Sequence, residues 1–296
     1  MSNMKSVYGQ PKDNYMFKIR LKSTILFIWC VILTIICLLP IYILVINATR
    51  LDTDIAGGLT VIPGKALGKN IKTMREDFGN LFKPLIGYRN SAIITVSATF
   101  LTVFFSALTA YGIHVYDFKL KETSYMIILF IMMVPTQVTA TGFLNFMAKI
   151  GLTDTYWPLI LPAVAAPAVV FFMRSYMKSS FPLDIVEAAR IDGSGEFRTF
   201  LTIAIPMMKP AIAVQAIFAF VANWNNFYTP SMILLSGDPD QKTLPMMISA
   251  IQASDKTGDL GVVYTCIALS IVPIIIADVL LSRFIIAGVV LGRVKE

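Results

Sequence analysis

A chain of 296 residues that is 56% hydrophobic and only 15% charged, with a mean hydropathy of +0.71, excludes an ordinary water-soluble globule and points to the membrane. Its net charge of +7 is spread over the segments between apolar tracts, without a basic stripe interleaved with exposed aromatics. The charge therefore reads as membrane orientation, and nucleic acid is excluded as a partner.

After an N-terminal tail, residues 1–24, six tracts have the length and apolarity to span roughly 30 Å of hydrocarbon, which takes about 20 helical residues each. The first is 25–46, too long and evenly apolar for a signal-peptide core, and it reads as a retained anchor. Cys30 and Cys37 share one face of it, about 10 Å apart and beyond disulfide reach. With Cys266 in the last span they are expected to be buried structural thiols, and His114 is the only histidine, so no metal-ligand spacing exists. A long loop, 47–90, follows. It contains GLTVIPGKA from Gly58, which is no phosphate loop: five residues separate Gly58 from Gly64, and Ala66 stands where Ser or Thr is needed.

A core of five spans, within 91–287, comes next: 92–115, 124–146, 157–173, 211–235 and 262–286, with a short tail at 288–296. Backbone polar groups in hydrocarbon must be satisfied within each segment, so an all-α bundle is expected. Pro135 in the third span and Pro158, Pro162 and Pro167 in the fourth mark kinks. Most of the 25 basic residues lie on the side that an inside N-terminus would make cytoplasmic, the loop 47–90 being the one dissenter. Both termini are then cytoplasmic.

That orientation puts the charged stretch 178–210, including EAARIDGSGEFRTFLTIAIPMMKP, in the cytoplasm between the fourth and fifth spans. Pro182 and Asp184 suit the start of a helix whose apolar side is Ile185, Val186, Ala188, Ala189 and Ile191. Gly193 and Gly195 permit a sharp turn after Asp192, and a second helix, 196–205, stops at Pro206. Small residues at Ala188 and Ala189 beside the Glu187 carboxylate suit a helix docking in a partner's groove. An amphipathic helix lying on the inner membrane face fits the same periodicity.

Glu187-Ala188-Ala189, then Asp192-Gly193, then Ile203-x-x-Pro206 resembles the EAA loop of the permease subunits of ABC importers. NWNNFYTPSMILL, KTLPMMIS and the closing apolar span look like the carbohydrate-uptake branch. The resemblance implies six transmembrane helices and a coupling helix seated in a cytoplasmic ATPase, through Glu187, Ala188, Ala189, Asp192, Gly193 and Pro206. It implies as partners two ATPase subunits, a second related permease forming a heterodimer, and an extracellular or periplasmic sugar-binding protein. ATP and Mg would sit on the ATPase, with no cofactor on this chain, in a bacterial cytoplasmic membrane.

The fifth span gathers Asn223, Trp224, Asn225, Asn226 and Tyr228 ahead of Pro230, whose missing N–H leaves the Asn226 carbonyl needing a partner. Amides and aromatic faces suit a sugar path, and they equally suit helix-to-helix contact. Asp278 is the one acid within a span, fit for proton coupling or for a local polar partner. The outer loop 236–260, with Asp238, Asp240, Asp255 and Asp259, resembles the family's external loop that meets the substrate-binding protein, and it equally fits a solvated loop. The lack of HExxH, GxSxG or paired intramembrane carboxylates argues against an enzyme. An ion-coupled secondary transporter is the alternative, since broken helices and a lone acid occur there too.

Overall fold

The computed structural model describes residues 13–254 and 259–293, with side chains placed for 17–135, 137–254 and 259–280. All secondary structure among them is helical. In chain order, α1 (Asp13–Ala48), α2 (Asp52–Ala56) and α3 (Leu67–Asp77) lead to the long central α4 (Pro84–Val115). Then come α5 (Lys121–Met132), α6 (Thr136–Lys149), the short α7 (Trp157–Ile160) running on as a 3-10 turn at Leu161–Val164, and α8 (Pro167–Ser180). The hairpin follows as α9 (Asp184–Ile191), α10 (Glu196–Thr199), a π-turn at Phe200–Ala204 and α11 (Ile205–Met207). The chain closes with α12 (Lys209–Trp224), α13 (Tyr228–Ile233), α14 (Leu244–Gln252) and α15 (Leu260–Arg293).

Four helices are long and apolar enough to cross a membrane, or up to six if each of two bent pairs is one span. The span 124–146, expected to kink at Pro135, is α5 and α6, bent by 97°. Pro135 has no N–H to give back to the preceding turn, and it takes an extended conformation (φ −63°, ψ 126°) at the start of α6. The expected span 211–235 is also broken, because α12 ends at Trp224 and α13 begins at Tyr228. Pro230 is not the breaker. It sits in the first turn of α13, where an absent N–H removes no helical bond, and the Thr229 N–H is capped by the Asn226 side chain at 3.2 Å.

α4 is the axis, lying along α8 on one side and α12 on the other, while α15 packs on α12 and α1. Small buried residues on α4, among them Ser91, Ala98, Ser106, Ala107 and Ala110, let these helices approach closely. One core cluster surrounds the C-terminal half of α4, built from Tyr111, Met173, Met177, Phe181, Phe200 and Met208. A second surrounds its other half, with Phe78, Phe82, Trp224, Leu244, Met247 and Val262.

Helix breaks and an internal proline free carbonyls, and side chains of neighbouring helices take them up. The Ala163 carbonyl has no helical partner because Ala165 and Ala166 leave the helical conformation (ψ 85° and 80°), and it accepts from the Thr102 hydroxyl of α4 at 3.0 Å. Pro273 leaves the Leu269 carbonyl open, and the Tyr88 hydroxyl donates to it. Asn90 of α4 donates to the carbonyls of Asp240 and Lys242, and the Ser91 hydroxyl accepts from Leu244 N–H, pinning the segment after α13.

α1 leaves most of its length uncovered, so Cys30 and Cys37 are exposed, against the expectation of burial, and only Cys266 is buried. Asp278 is likewise exposed on α15, without a side-chain partner among the described residues. Of the outer-loop acids, Asp240 pairs with Lys83 at 2.6 Å, Asp238 accepts from Asp240 N–H and Asp259 accepts from Val262 N–H at the start of α15. Asp255 lies outside the described residues.

Where α1 ends, the Asn70 amide bridges the carbonyls of Ala48 and Arg50 at 2.9 Å each, with Gly261 of α15 pressed against them. A Cβ on Gly261 would lie 2.6 Å from the Arg50 carbonyl oxygen, which is backbone and cannot yield cheaply. Gly261→Val is therefore expected to destabilise the bundle by about 1–3 kcal/mol, a few degrees in melting temperature in detergent. Gly68→Ala, which meets nothing within 4 Å on α3, is expected to leave the melting temperature unchanged or slightly raised.

Candidate functional site

The hairpin is closed by a helix end that only glycine fits comfortably. α9 stops at Ile191, Asp192 follows, and Gly193 takes φ +77°, the left-handed region. Gly193 N–H donates to Arg190 O at 3.0 Å and Ser194 N–H to Ala189 O at 2.9 Å, the paired bonds of a Schellman end. Gly195 has φ −68° and serves as the residue before α10, so the turn expected of two glycines is made by one.

Side chains then lock the corner. The Glu196 carboxylate accepts from Arg190 Nε at 2.7 Å on one oxygen and from the Tyr116 hydroxyl at 2.7 Å on the other. Arg190 also lies over the Tyr116 ring, 5.7 Å from its centre. The hydrogen bond from Arg190, then that from Tyr116, holds the Glu196 carboxyl below its usual range. Burial, reinforced by the hydrogen bond to Glu196, pushes the Tyr116 phenol up to about 12. Near neutral pH the acid is ionised and the phenol keeps its proton, so both hydrogen bonds persist. The contribution of a lowered carboxyl is present above the ordinary carboxylate range and lost only as pH falls through the lowered value. Arg190 and Glu196 stand in the motif, whereas Tyr116 enters from the end of α4 and was not identified from sequence.

The two faces of α9 differ. Val186 and Ala189 are buried, Val186 at 1% exposure in the first core cluster, while Ile191 is 87% exposed and Glu187, Ala188 and Asp192 are exposed beside it. The apolar side expected from periodicity is thus split between an anchoring pair and a bare face. The helix begins at Asp184, two positions beyond the Pro182 start expected, because Phe181 and Pro182 are used in the descent from α8.

The second arm also departs from expectation. It runs through Pro206 instead of stopping there. Ile205 N–H reaches back five residues to Phe200 O, and this π-turn precedes the proline, which has no N–H to place. Phe200 and Ala204 thereby face the core together.

The expected path residues are separated by the structure. Asn223, Asn226 and Tyr228 line a cavity of about 710 Å³ between α4, α6, α7, α12 and α13. Asn225 opens on the other side, into a hollow of about 600 Å³ with α14 and α15. Trp224 lines neither: it is buried, stacked on Phe220 at 5.7 Å, and its indole N–H donates to the Ser270 carbonyl of α15 at 3.0 Å. For Trp224 the helix-to-helix role holds.

Comparison with known proteins decides the family. The family model for the binding-protein-dependent transport system inner membrane component matches residues 102–285. The chain belongs to that family. Arabinooligosaccharides transport system permease protein AraQ of Halalkalibacterium halodurans is 32% identical, over 92% of this chain and 96% of the relative. Lactose transport system permease protein LacG of Rhizobium radiobacter is 31% identical, over 86% and 90%. Trehalose/maltose transport system permease protein MalG of Thermococcus litoralis is 30% identical, over 93% and 98%. A chain in the crystal structure of a bacterial ABC transporter that imports the acidic polysaccharide alginate shares the fold, with a TM-score of 0.70 at 19% identity over 93% of this chain and 98% of that one. With its apolar helices, this member of the family is a multi-pass membrane protein. Ion-coupled transport finds no support among these relatives.

A Cβ on Gly193 would meet no atom within 4 Å, so substitution there acts on backbone conformation alone. Gly193→Val is expected to leave membrane insertion intact and reduce transport at least tenfold, because a β-branched residue disfavours the left-handed conformation by about 1–2 kcal/mol or more. Uptake assays in cells with matched membrane levels measure this, and uptake at the wild-type rate would contradict it.

Proposed function

We propose that this chain is the permease subunit of an ATP-driven saccharide importer, contributing half of the translocation path and receiving motion through α9. The observation that carries the reading is the hairpin: one face rooted in the core beside α4, α8 and α12, the other bare, with a locked corner between its arms. A helix held this way transmits displacement instead of bending. Relatives named for arabino-oligosaccharide, lactose and trehalose or maltose transport support a saccharide cargo.

In this reading the hairpin end of the bundle is cytoplasmic, with both termini on that side, and α9 sits in a cleft of an ATPase subunit. Glu187, Ala188, Asp192 and Gly193 form the contact surface, Ala189 roots it, and Pro206 ends the π-turn behind it. ATP and Mg are held by the ATPase pair, so hydrolysis is not this chain's chemistry. One chain offers one such helix, and two ATPases call for a second, related permease. An extracytoplasmic sugar-binding protein delivers cargo at the opposite end.

Tagged protein purified in mild detergent is expected to retain an ATPase, a second permease and a sugar-binding protein. Ala188→Trp, which adds bulk to the bare face only, is expected to keep the second permease and lower ATPase recovery by about tenfold, the effect of roughly 1.4 kcal/mol. Full ATPase recovery with normal uptake by that variant would contradict the docking surface. Ion-gradient dependence without any ATPase would contradict the class.

A further inference from the structure

Two hollows flank the end of α12, and their polar side chains differ in what remains free. In the larger cavity Asn223 Nδ2 is spent on the Ala219 carbonyl at 2.8 Å and the Asn226 side chain is occupied with Thr229 at 3.2 and 3.4 Å, which leaves Asn223 Oδ1 and the Tyr228 hydroxyl open there among the described residues. Much of the rest of its wall is aliphatic or proline, such as Ile94, Leu159 and Pro162. The smaller hollow is lined by Asn225, Ser249 and Gln252, whose side chains make no hydrogen bond among the described residues, and by the exposed ring of Phe227. A saccharide presents many hydroxyls that each donate and accept. Asn and Gln amides and a Ser hydroxyl supply both roles, and a ring covers the apolar face of a sugar.

We infer that the hollow between α12, α14 and α15 is the surface this chain offers to cargo, through Asn225, Ser249 and Gln252, and that the cargo is an uncharged saccharide. Neither hollow has a Lys, Arg, Asp or Glu in its lining, so a carboxylate or phosphate leaving water there meets no countercharge. This separates the chain from its structural neighbour, whose cargo is an acidic polysaccharide, and from a relative named for sn-glycerol-3-phosphate transport. Trp224 serves as a positioning residue. Its indole, fixed on the Ser270 carbonyl, sets the end of α12 and so the direction in which Asn225 is presented. Ser249 and Gln252 lie one turn apart on α14, a helix that the sequence marks only as part of an outer loop.

The inference rests on the importer reading above and is tested on the complete assembly in proteoliposomes, with its ATPases, second permease and binding protein. The probes are arabinotriose, lactose, maltose and trehalose as uncharged saccharides, with an alginate trimer and sn-glycerol 3-phosphate as anions. Wild-type assembly is expected to accumulate at least one uncharged probe and neither anion. Asn225→Ala and Gln252→Ala are expected to raise the half-saturating concentration of that probe about tenfold, and Ser249→Ala severalfold, while all chains remain bound. Accumulation of an anion, or of no uncharged probe, overturns the substrate class. Wild-type half-saturation in all three variants, a selective defect in Tyr228→Phe instead, or loss of the second permease from Gln252→Ala overturns the placement. The ATPase content of the same preparation scores the importer reading separately.

Discussion

In an apolar bundle every backbone carbonyl that loses its helical partner must find another donor within the protein, and the breaks in this chain fall where such donors are supplied. Thr102 serves the carbonyl left open by the break before α8, Tyr88 the one freed by Pro273, and Asn90 the carbonyls of the segment after α13. At the hairpin the backbone satisfies itself, through the paired bonds around Gly193. Because these bonds are satisfied, the interruptions are rigid joints with defined angles, and function can be built on them.

The joints connect in a line. The first core cluster holds Val186 beneath α9 together with Phe200, Met208 and the start of α12. α12 then runs sixteen residues, about 24 Å, to Trp224, where its end is tied to α15. The proposed coupling therefore runs by packing from Val186 to the start of α12, past the 81° bend before Lys209, and along α12 to the Asn225 hollow. Close-packed contacts of this kind shift between discrete arrangements more readily than they deform.

Reading residues in order shows some of this and hides the rest for physical reasons. The Gly193 corner is legible because only one residue type occupies that backbone region without strain, so chemistry and geometry coincide at a single position. The apolar residues of α9 are legible as a group, but periodicity does not say that Val186 and Ala189 face inward while Ala188 and Ile191 face outward. Apolarity alone measures length, so 124–146 and 211–235 read as single spans; Pro135 marks the bend in the first, whereas the break in the second falls at 225–227 and not at Pro230. The run Asn223 to Tyr228 reads as one polar patch. A helix end and a loop distribute its members over three surroundings: a cavity, a hollow and a buried contact. Tyr116 closes on Glu196 from eighty positions away, a distance that no local pattern spans.

The most direct measurement is photo-crosslinking from a probe placed at Ile191, the most exposed large apolar side chain of α9, in assemblies accumulating sugar under ATP. The account predicts an adduct with an ATPase subunit whose yield changes between nucleotide-free and ATP-trapped states. Adducts with lipid alone, at constant yield while transport proceeds, would contradict it.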